Sequence, residues 1–281
     1  MEIAYGTYAM PTIPLEKAIP LLAGMGYDGI EICVSPKHIA SMPDAFDAAR
    51  RSTIHGLLNE HGLGIPALFL TGHLLQDDAK GHTDNLEHVR RSLQLARDLG
   101  QEGTPVLSMG IGGKSAQWAH VKNQIVERLG DYADLGQKEG FILAGEAHCG
   151  AAVDRSERAL WVINTVDSPH VRLHFDIVHF YLSGEDEAEA VQRLFPITAH
   201  THITDARKHD DGSFNLLLLG DGNLDTVKYV QAMDEAGWNS YITLEVSAQI
   251  WTRDDYDPVQ AAKQSYETLH NAFQKADIPR G

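Results

Sequence analysis

Residues 123–146 read NQIVERLGDYADLGQKEGFILAGE. The segment up to Gly140 places apolar residues at helical spacing, and Phe141–Glu146 is a short apolar run ending in a carboxylate. A helix closed by glycine and followed by a buried strand is half of a strand–helix unit. The pattern recurs in both directions along the chain. Strands are expected at Ile3–Gly6, Gly29–Val34, Ile65–Leu70, Pro105–Met109, Phe141–Glu146, Val171–Phe175, Thr198–Thr204 and Tyr241–Val246. Helical patterns lie between them, such as LEKAIPLLAGMG, DAFDAARRSTIHGLLNEHG and NLEHVRRSLQLARDLG. The last, DPVQAAKQSYETLHNAFQKA, opens with Asp257 as a candidate cap and Pro258 at the first helical position. Such alternation implies parallel strands with crossover helices. Eight units in 281 residues predict one α/β domain over residues 1–281, a single (β/α)8 TIM barrel. No linker or change of composition divides it.

Composition narrows the function. Hydrophobic residues are 43% and charged residues 22%, values of a folded globular chain. Lys+Arg number 23 against 39 Asp+Glu, a net charge of −16. That balance argues against nucleic acid and anionic membrane surfaces as partners. Only Cys33 and Cys149 are present, with no CxxC pair, so spacing supports neither a disulfide scaffold nor a thiolate zinc site. The opening MEIAYGTYAM lacks the signature of a signal peptide, and no apolar run approaches the roughly 18–20 residues of a membrane span. A reduced, cytoplasmic chain is expected.

Two motifs fail on context. GMGYDG, Gly24 to Gly29, matches a dinucleotide fingerprint but follows a helix and precedes a strand, so it reads as a helix cap. SMGIGGKS, Ser108 to Ser115, has Ser108 where a phosphate loop needs its first glycine.

The chemistry is expected at the strand ends. FILAGEAHCG carries Glu146 and His148, VRLHFDIVHF carries Asp176 and His179, ITAHTHITD carries His200, His202 and Asp205, and YITLEVS carries Glu245. A carboxylate after an apolar strand is costly unless paired, hydrogen-bonded or on a metal. In a barrel these ends converge on one mouth. Glu146, Asp176, His202 and Glu245 therefore form a candidate site for one divalent ion, with Mn²⁺ the first choice and Mg²⁺, Co²⁺ or Zn²⁺ as alternatives. Long loops at 71–83, 205–223 and 247–257 follow strands and are expected to form a lid on that face.

GYDGIEI (26–32), GEAH, FDIVH, HTHITD, LGDGNLD (219–225) and ITLEV occur in an order that resembles the xylose-isomerase-like barrel superfamily of sugar isomerases and epimerases. The resemblance covers essentially the whole chain. It implies the same four metal ligands and substrate roles for His179, Arg207 and Glu31. Ala147 stands where many relatives carry Asn.

The activity implied is a sugar or keto-polyol isomerase or epimerase. Such an enzyme abstracts a proton next to a carbonyl through a metal-stabilised enediolate. Glu146 and Glu245 are the candidate acid/base pair, with His148 either orienting Glu146 or acting as a separate acid/base. His73 is a candidate substrate contact from the third loop. Trp118 and Trp251 are candidates to stack on a sugar, and Asp221 to cap the helix after it. Few cations stand near the strand ends (Lys114, Arg207 and Lys208), which favours a neutral sugar over a sugar phosphate. Two alternatives keep the barrel. One is β-elimination, as in inosose dehydratases or C-glycoside deglycosidases acting on 3-oxo glycosides. The other is a non-catalytic sugar-binding barrel. The resemblance also implies a homo-oligomer, or pairing with a small partner subunit.

Overall fold

The structure is a computed structural model describing residues 1–76 and 78–281. Asp77, within the expected 71–83 lid, lies outside the described residues. Eight parallel strands close into a barrel: β1 (Glu2–Gly6), β2 (Gly29–Val34), β3 (Leu68–His73), β4 (Val106–Gly110), β5 (Ile142–Glu146), β6 (Val171–Asp176), β7 (Thr198–Ile203) and β10 (Tyr241–Leu244). The order around the barrel is β1-β10-β7-β6-β5-β4-β3-β2. An outer ring of helices includes α1 (Leu15–Met25), α2 (Ala48–His61), α3 (Ala79–Asp98), α4 (Trp118–Glu139), α5 (Ser156–Val166), α6 (Ile177–Leu182), α7 (Glu187–Leu194), α8 (Thr226–Glu235), α9 (Ala248–Trp251) and α10 (Pro258–Ala276).

The expected helix ends have chemical causes. Asp257 accepts from the backbone N–H groups of Val259 and Gln260 and so caps α10. Gly26 ends α1 at φ +99°, and a Cβ there would meet the Tyr266 hydroxyl at 2.5 Å. GMGYDG is thus a helix terminus.

Three expectations are corrected. The third strand begins at Leu68 rather than Ile65, because Pro66 lacks a donor and only Gly64 bridges to Gly29. The 205–223 loop contains an antiparallel hairpin, β8 (Asp205–Lys208) and β9 (Phe214–Leu217). The cap of α8 is Asp225, which accepts from Lys228 N–H; Asp221 sits in the preceding turn. Cys33 is buried, Cys149 is half-buried, and both are unpaired thiols.

Period-two alternation gives the strands two unlike faces. Ile30, Ile32, Leu68, Leu70, Leu107, Met109, Leu143, Leu173, Phe175, Ile203, Ile242 and Leu244 join one apolar cluster with the helices. Their neighbours Glu31, Ser108, Glu146, His174, Asp176, His200 and His202 point into the barrel, where they contact one another across it.

Candidate metal centre

Glu146 ends β5, Asp176 ends β6, His202 lies near the end of β7 and Glu245 follows β10. Asp176 pairs in register with His202, and His202 with Thr243. One donor atom from each of Glu146, Asp176, His202 and Glu245 lies within 4.8 Å of the others. The four sequence-predicted ligands are therefore brought together by four neighbouring strands.

Two buried atoms in this group lack partners among the described residues. Asp176 Oδ1 accepts from Val178 N–H at 3.1 Å and caps α6, which leaves Oδ2 unpartnered. His202 donates from Nε2 to Glu31 Oε1 at 2.9 Å and Oε2 at 3.0 Å. Its Nδ1 has no hydrogen bond and stands 3.4 Å from Glu245 Oε2. An ionised carboxylate only accepts, so Glu31 holds a proton on Nε2 and turns Nδ1, the nitrogen that would ligate once deprotonated, to the carboxylates. Orphaned buried donors and acceptors are costly, and one divalent ion would satisfy both. The set of three carboxylates and one imidazole suits such an ion.

The electrostatics follow from crowding. Burial would raise Glu31, but the charge of His202 and hydrogen bonds from His200 and His202 hold its carboxyl down at about 2. Burial pushes Asp176 up to about 6, with Glu245 and Glu146 adding to the rise and His179 opposing it. Burial disfavours charge on His202, yet Glu31 and Glu245 hold its pKa well above the usual histidine range. His174, buried among His202, His200 and His179, is driven well below it. The ring of His174 accepts or donates at Nδ1 to the Ser108 hydroxyl at 2.6 Å, and His200 Nε2 meets Glu31 Oε1 at 2.7 Å. A buried polar chain therefore underlies the four residues.

Glu146 and Glu245 reach the floor of a cavity of about 490 Å³, which Asp176 and His179 also line. His179 Nε2 lies 3.6 Å from both Glu146 Oε1 and Asp176 Oδ2. The His148 ring sits over that of His179 with centroids 3.7 Å apart. All three long post-strand segments contribute to the wall, through His73, Phe214 and Gln249 among others.

Other expected residues are placed elsewhere. Glu31 is 0% exposed, beneath the four residues and behind His202. Arg207 is exposed on β8 and donates to the Asp221 carbonyl at 2.6 Å. Lys114 and Lys208 are exposed too, the latter with Nζ 4.0 Å from the centre of the Tyr181 ring. Trp118 packs edge-on against Trp161, and Trp251 against Tyr8 and His38.

Sequence reasoning missed Tyr8 and Phe69, which line the cavity. Phe69 also packs edge-on against His202. Both are aromatic residues near strand ends, but nothing in their type distinguishes them from core residues. Asp205 was seen without a role. Its carboxylate accepts from the N–H groups of Ala206, Gly220, Gly222 and Leu224 and so ties the hairpin to the LGDGNLD turn. A Cβ on Gly222 would fall 2.1 Å from Asp205 Oδ1, which accounts for glycine there.

Comparison with known proteins agrees with the fold. The sequence profile of the xylose isomerase-like TIM barrel family matches residues 19–272. An inosose isomerase of Bacillus velezensis is 22% identical over 265 residues, covering 92% of this chain and 93% of that protein. A fructoselysine 3-epimerase of Escherichia coli O157:H7 is 24% identical, covering 88% and 90%. An inosose dehydratase of Clostridium perfringens is 25% identical over 160 residues, and the match spans 52% of each chain. Among solved structures, the IOLI protein with a binding zinc atom superposes at TM-score 0.81 with 19% identity, covering 98% of this chain and 99% of that one. An L-ribulose 3-epimerase superposes at TM-score 0.74 with 19% identity, covering 98% and 97%. Among the described residues, no helix is long and apolar enough to cross a membrane.

Proposed function

For a chain that belongs to the xylose isomerase-like TIM barrel family, we propose a divalent-metal-dependent enzyme that isomerises or epimerises a small sugar or keto-polyol by moving a proton next to a carbonyl. One observation carries this reading: four donor side chains meet within 4.8 Å at a cavity floor, and two of their buried atoms have no hydrogen-bond partner among the described residues. Glu146, Asp176, His202 and Glu245 would hold the ion. When bound, it supplies Lewis-acid stabilisation for negative charge on the substrate's carbonyl oxygen.

The residues divide the remaining work by exposure. Asp176 and His202 are fully buried and serve to position. Glu146 and Glu245 line the cavity from the two ends of the β5-β6-β7-β10 arc, so each can take or return a proton at a substrate carbon between them. His179 is held against Glu146 and Asp176 and presents its ring to the cavity wall, where it orients a substrate hydroxyl. Aromatic Tyr8 and Phe69 supply apolar surface for a sugar face. The relatives' names and the neighbour's zinc support a carbohydrate substrate and keep zinc beside manganese as the ion.

His148 favours a second reading. It is exposed at the cavity, its ring tilted over that of His179, and placed to protonate a leaving hydroxyl or aglycone while a carboxylate removes the neighbouring proton. That chemistry is β-elimination, and inosose dehydratases are among the relatives.

The test is metal analysis with proton exchange in D₂O on D-fructose, D-psicose, D-tagatose, hydroxypyruvate and 2-keto-inositol. One manganese ion per chain, with deuterium entering a C–H bond and no exchange in Glu146→Gln or Glu245→Gln, is the expected result. Loss of water or of an aglycone, abolished in His148→Asn, would select elimination. A chain that binds no divalent ion overturns the proposal, and ion and ligand binding without turnover would make it a sugar-binding barrel.

A further inference from the structure

Beside the four-residue site the cavity carries a second cluster of different chemistry. From the arrangement of His148, Cys149 and His179 we infer a separate binding position for a thiophilic divalent ion such as zinc. One donor atom from each of the three lies within 4.8 Å of the others. A tetrahedral zinc with N and S ligands needs donor separations of roughly 3.3–3.8 Å, so side-chain adjustment of about an ångström closes the site.

The backbone under the cluster is fixed. His148 N–H donates to the Val153 carbonyl, Ala151 N–H to the His148 carbonyl, and Ser115 N–H to the Gly150 carbonyl. His148 Nδ1 meets the Cys149 carbonyl at 2.8 Å and stands 3.9 Å from Cys149 Sγ, so His148 ligates either by giving up that carbonyl contact or through Nε2. His179 is 3% exposed, and its Nδ1 is buried without a hydrogen-bond partner among the described residues. Its Nε2 faces Glu146 and Asp176. One ring thus turns Nε2 to the carboxylates and leaves Nδ1 buried and unpartnered among the described residues.

The two positions differ in hardness. Three carboxylates and one imidazole suit Mn²⁺ or Mg²⁺ as well as zinc, whereas two imidazoles and a thiolate select zinc or cadmium and reject Mg²⁺ and Mn²⁺. Cys149 has no second cysteine nearby in sequence; the fold supplies His179 from α6, the helix that follows the next strand. Occupancy would tie down His148 and His179 at the cavity wall, so zinc in excess of one per chain should inhibit, and manganese should not.

The test loads chelator-stripped protein with Zn²⁺, Mn²⁺ or Co²⁺ and reads stoichiometry, the near-ultraviolet thiolate-to-cobalt band, and the alkylation rate of Cys149. The expected result is two zinc ions but one manganese per chain. A cobalt–thiolate band should appear, and zinc, not manganese, should protect Cys149 in the wild-type chain. Cys149→Ser should bind one zinc and lose the band. Asp176→Asn should lose manganese and keep the band, which separates failure of this position from failure of the proposed catalytic one. One zinc in both wild type and Cys149→Ser, or no band and no protection, overturns the inference.

Discussion

The two faces of the barrel strands obey opposite rules. Facing the helices, Leu173, Phe175, Ile203 and Leu244 sit in a continuous apolar core. On the interior face, one residue away, His174, Asp176, His202 and Glu31 are 0% exposed and ionisable. Stability is concentrated on the first face, since apolar burial is its main source. The second gathers charges that water would solvate better, and it keeps them tolerable by mutual pairing. A strand whose one side secures the barrel can carry costly chemistry on the other.

Substitutions on opposite faces should separate metal binding from folding. Asp176→Asn removes a ligand without changing volume. Bound manganese should drop from one per chain to near none, and exchange should fall by about 10²–10⁴-fold, read by metal analysis and deuterium incorporation. Leu173→Ala, on the outward face of the same strand, should lower unfolding free energy by about 2–5 kcal/mol in denaturant melts while each folded molecule still binds its ion. Equal loss of metal in both variants would break the comparison.

Glu31→Gln sharpens it. The carboxylate that fixes the His202 proton is replaced by an amide, so metal affinity should fall by about 10–100-fold in calorimetry while the cavity lining stays intact. An unchanged affinity would remove Glu31 from the site altogether.

Protonation gives a smaller, graded effect. Asp176 is pushed up to about 6 and His202 well above the usual histidine range, and both must lose protons to ligate. Metal affinity should therefore weaken as pH falls, first as His202 takes its proton and again through about 6 as Asp176 does, with protons released on binding in buffers of different ionisation enthalpy. The metal-free fold has a linked sign. A carboxyl raised when folded favours folding below its ordinary pKa, so the Asp176 contribution is lost as pH rises through about 6. Metal should restore stability most at neutral pH, seen as a larger shift in Tm at pH 7 than at pH 4.

The smallest effect is expected at Arg207→Ala. The side chain is exposed and bonds the Asp221 carbonyl, so stability should change within about 0.5 kcal/mol and KM should stay near wild type. A rise in KM of about tenfold, some 1.4 kcal/mol, would put Arg207 on the substrate.

Legibility followed the range of the interaction. Local patterns exposed the strands ending in Glu146 and Asp176, the capping role of Asp257 and the glycine at 26, because alternation, capping and left-handed backbone are written in neighbouring residues. The four donors were legible for a related reason: an acid or a histidine at the end of an apolar strand is locally anomalous. Sequence did not reveal that Glu31 serves His202, 171 positions away in the chain. It did not reveal the purpose of Asp205 and Gly222 or the meeting of Cys149 with His179. Those depend on which strands become neighbours when the barrel closes, and closure is decided by packing of the whole apolar shell. The sequence by itself thus determined the elements, their two-faced pattern and the kinds of donor available. The tertiary structure alone decided which nitrogen of His202 is left free, which carboxylates face the cavity, and that a thiol stands beside two imidazoles.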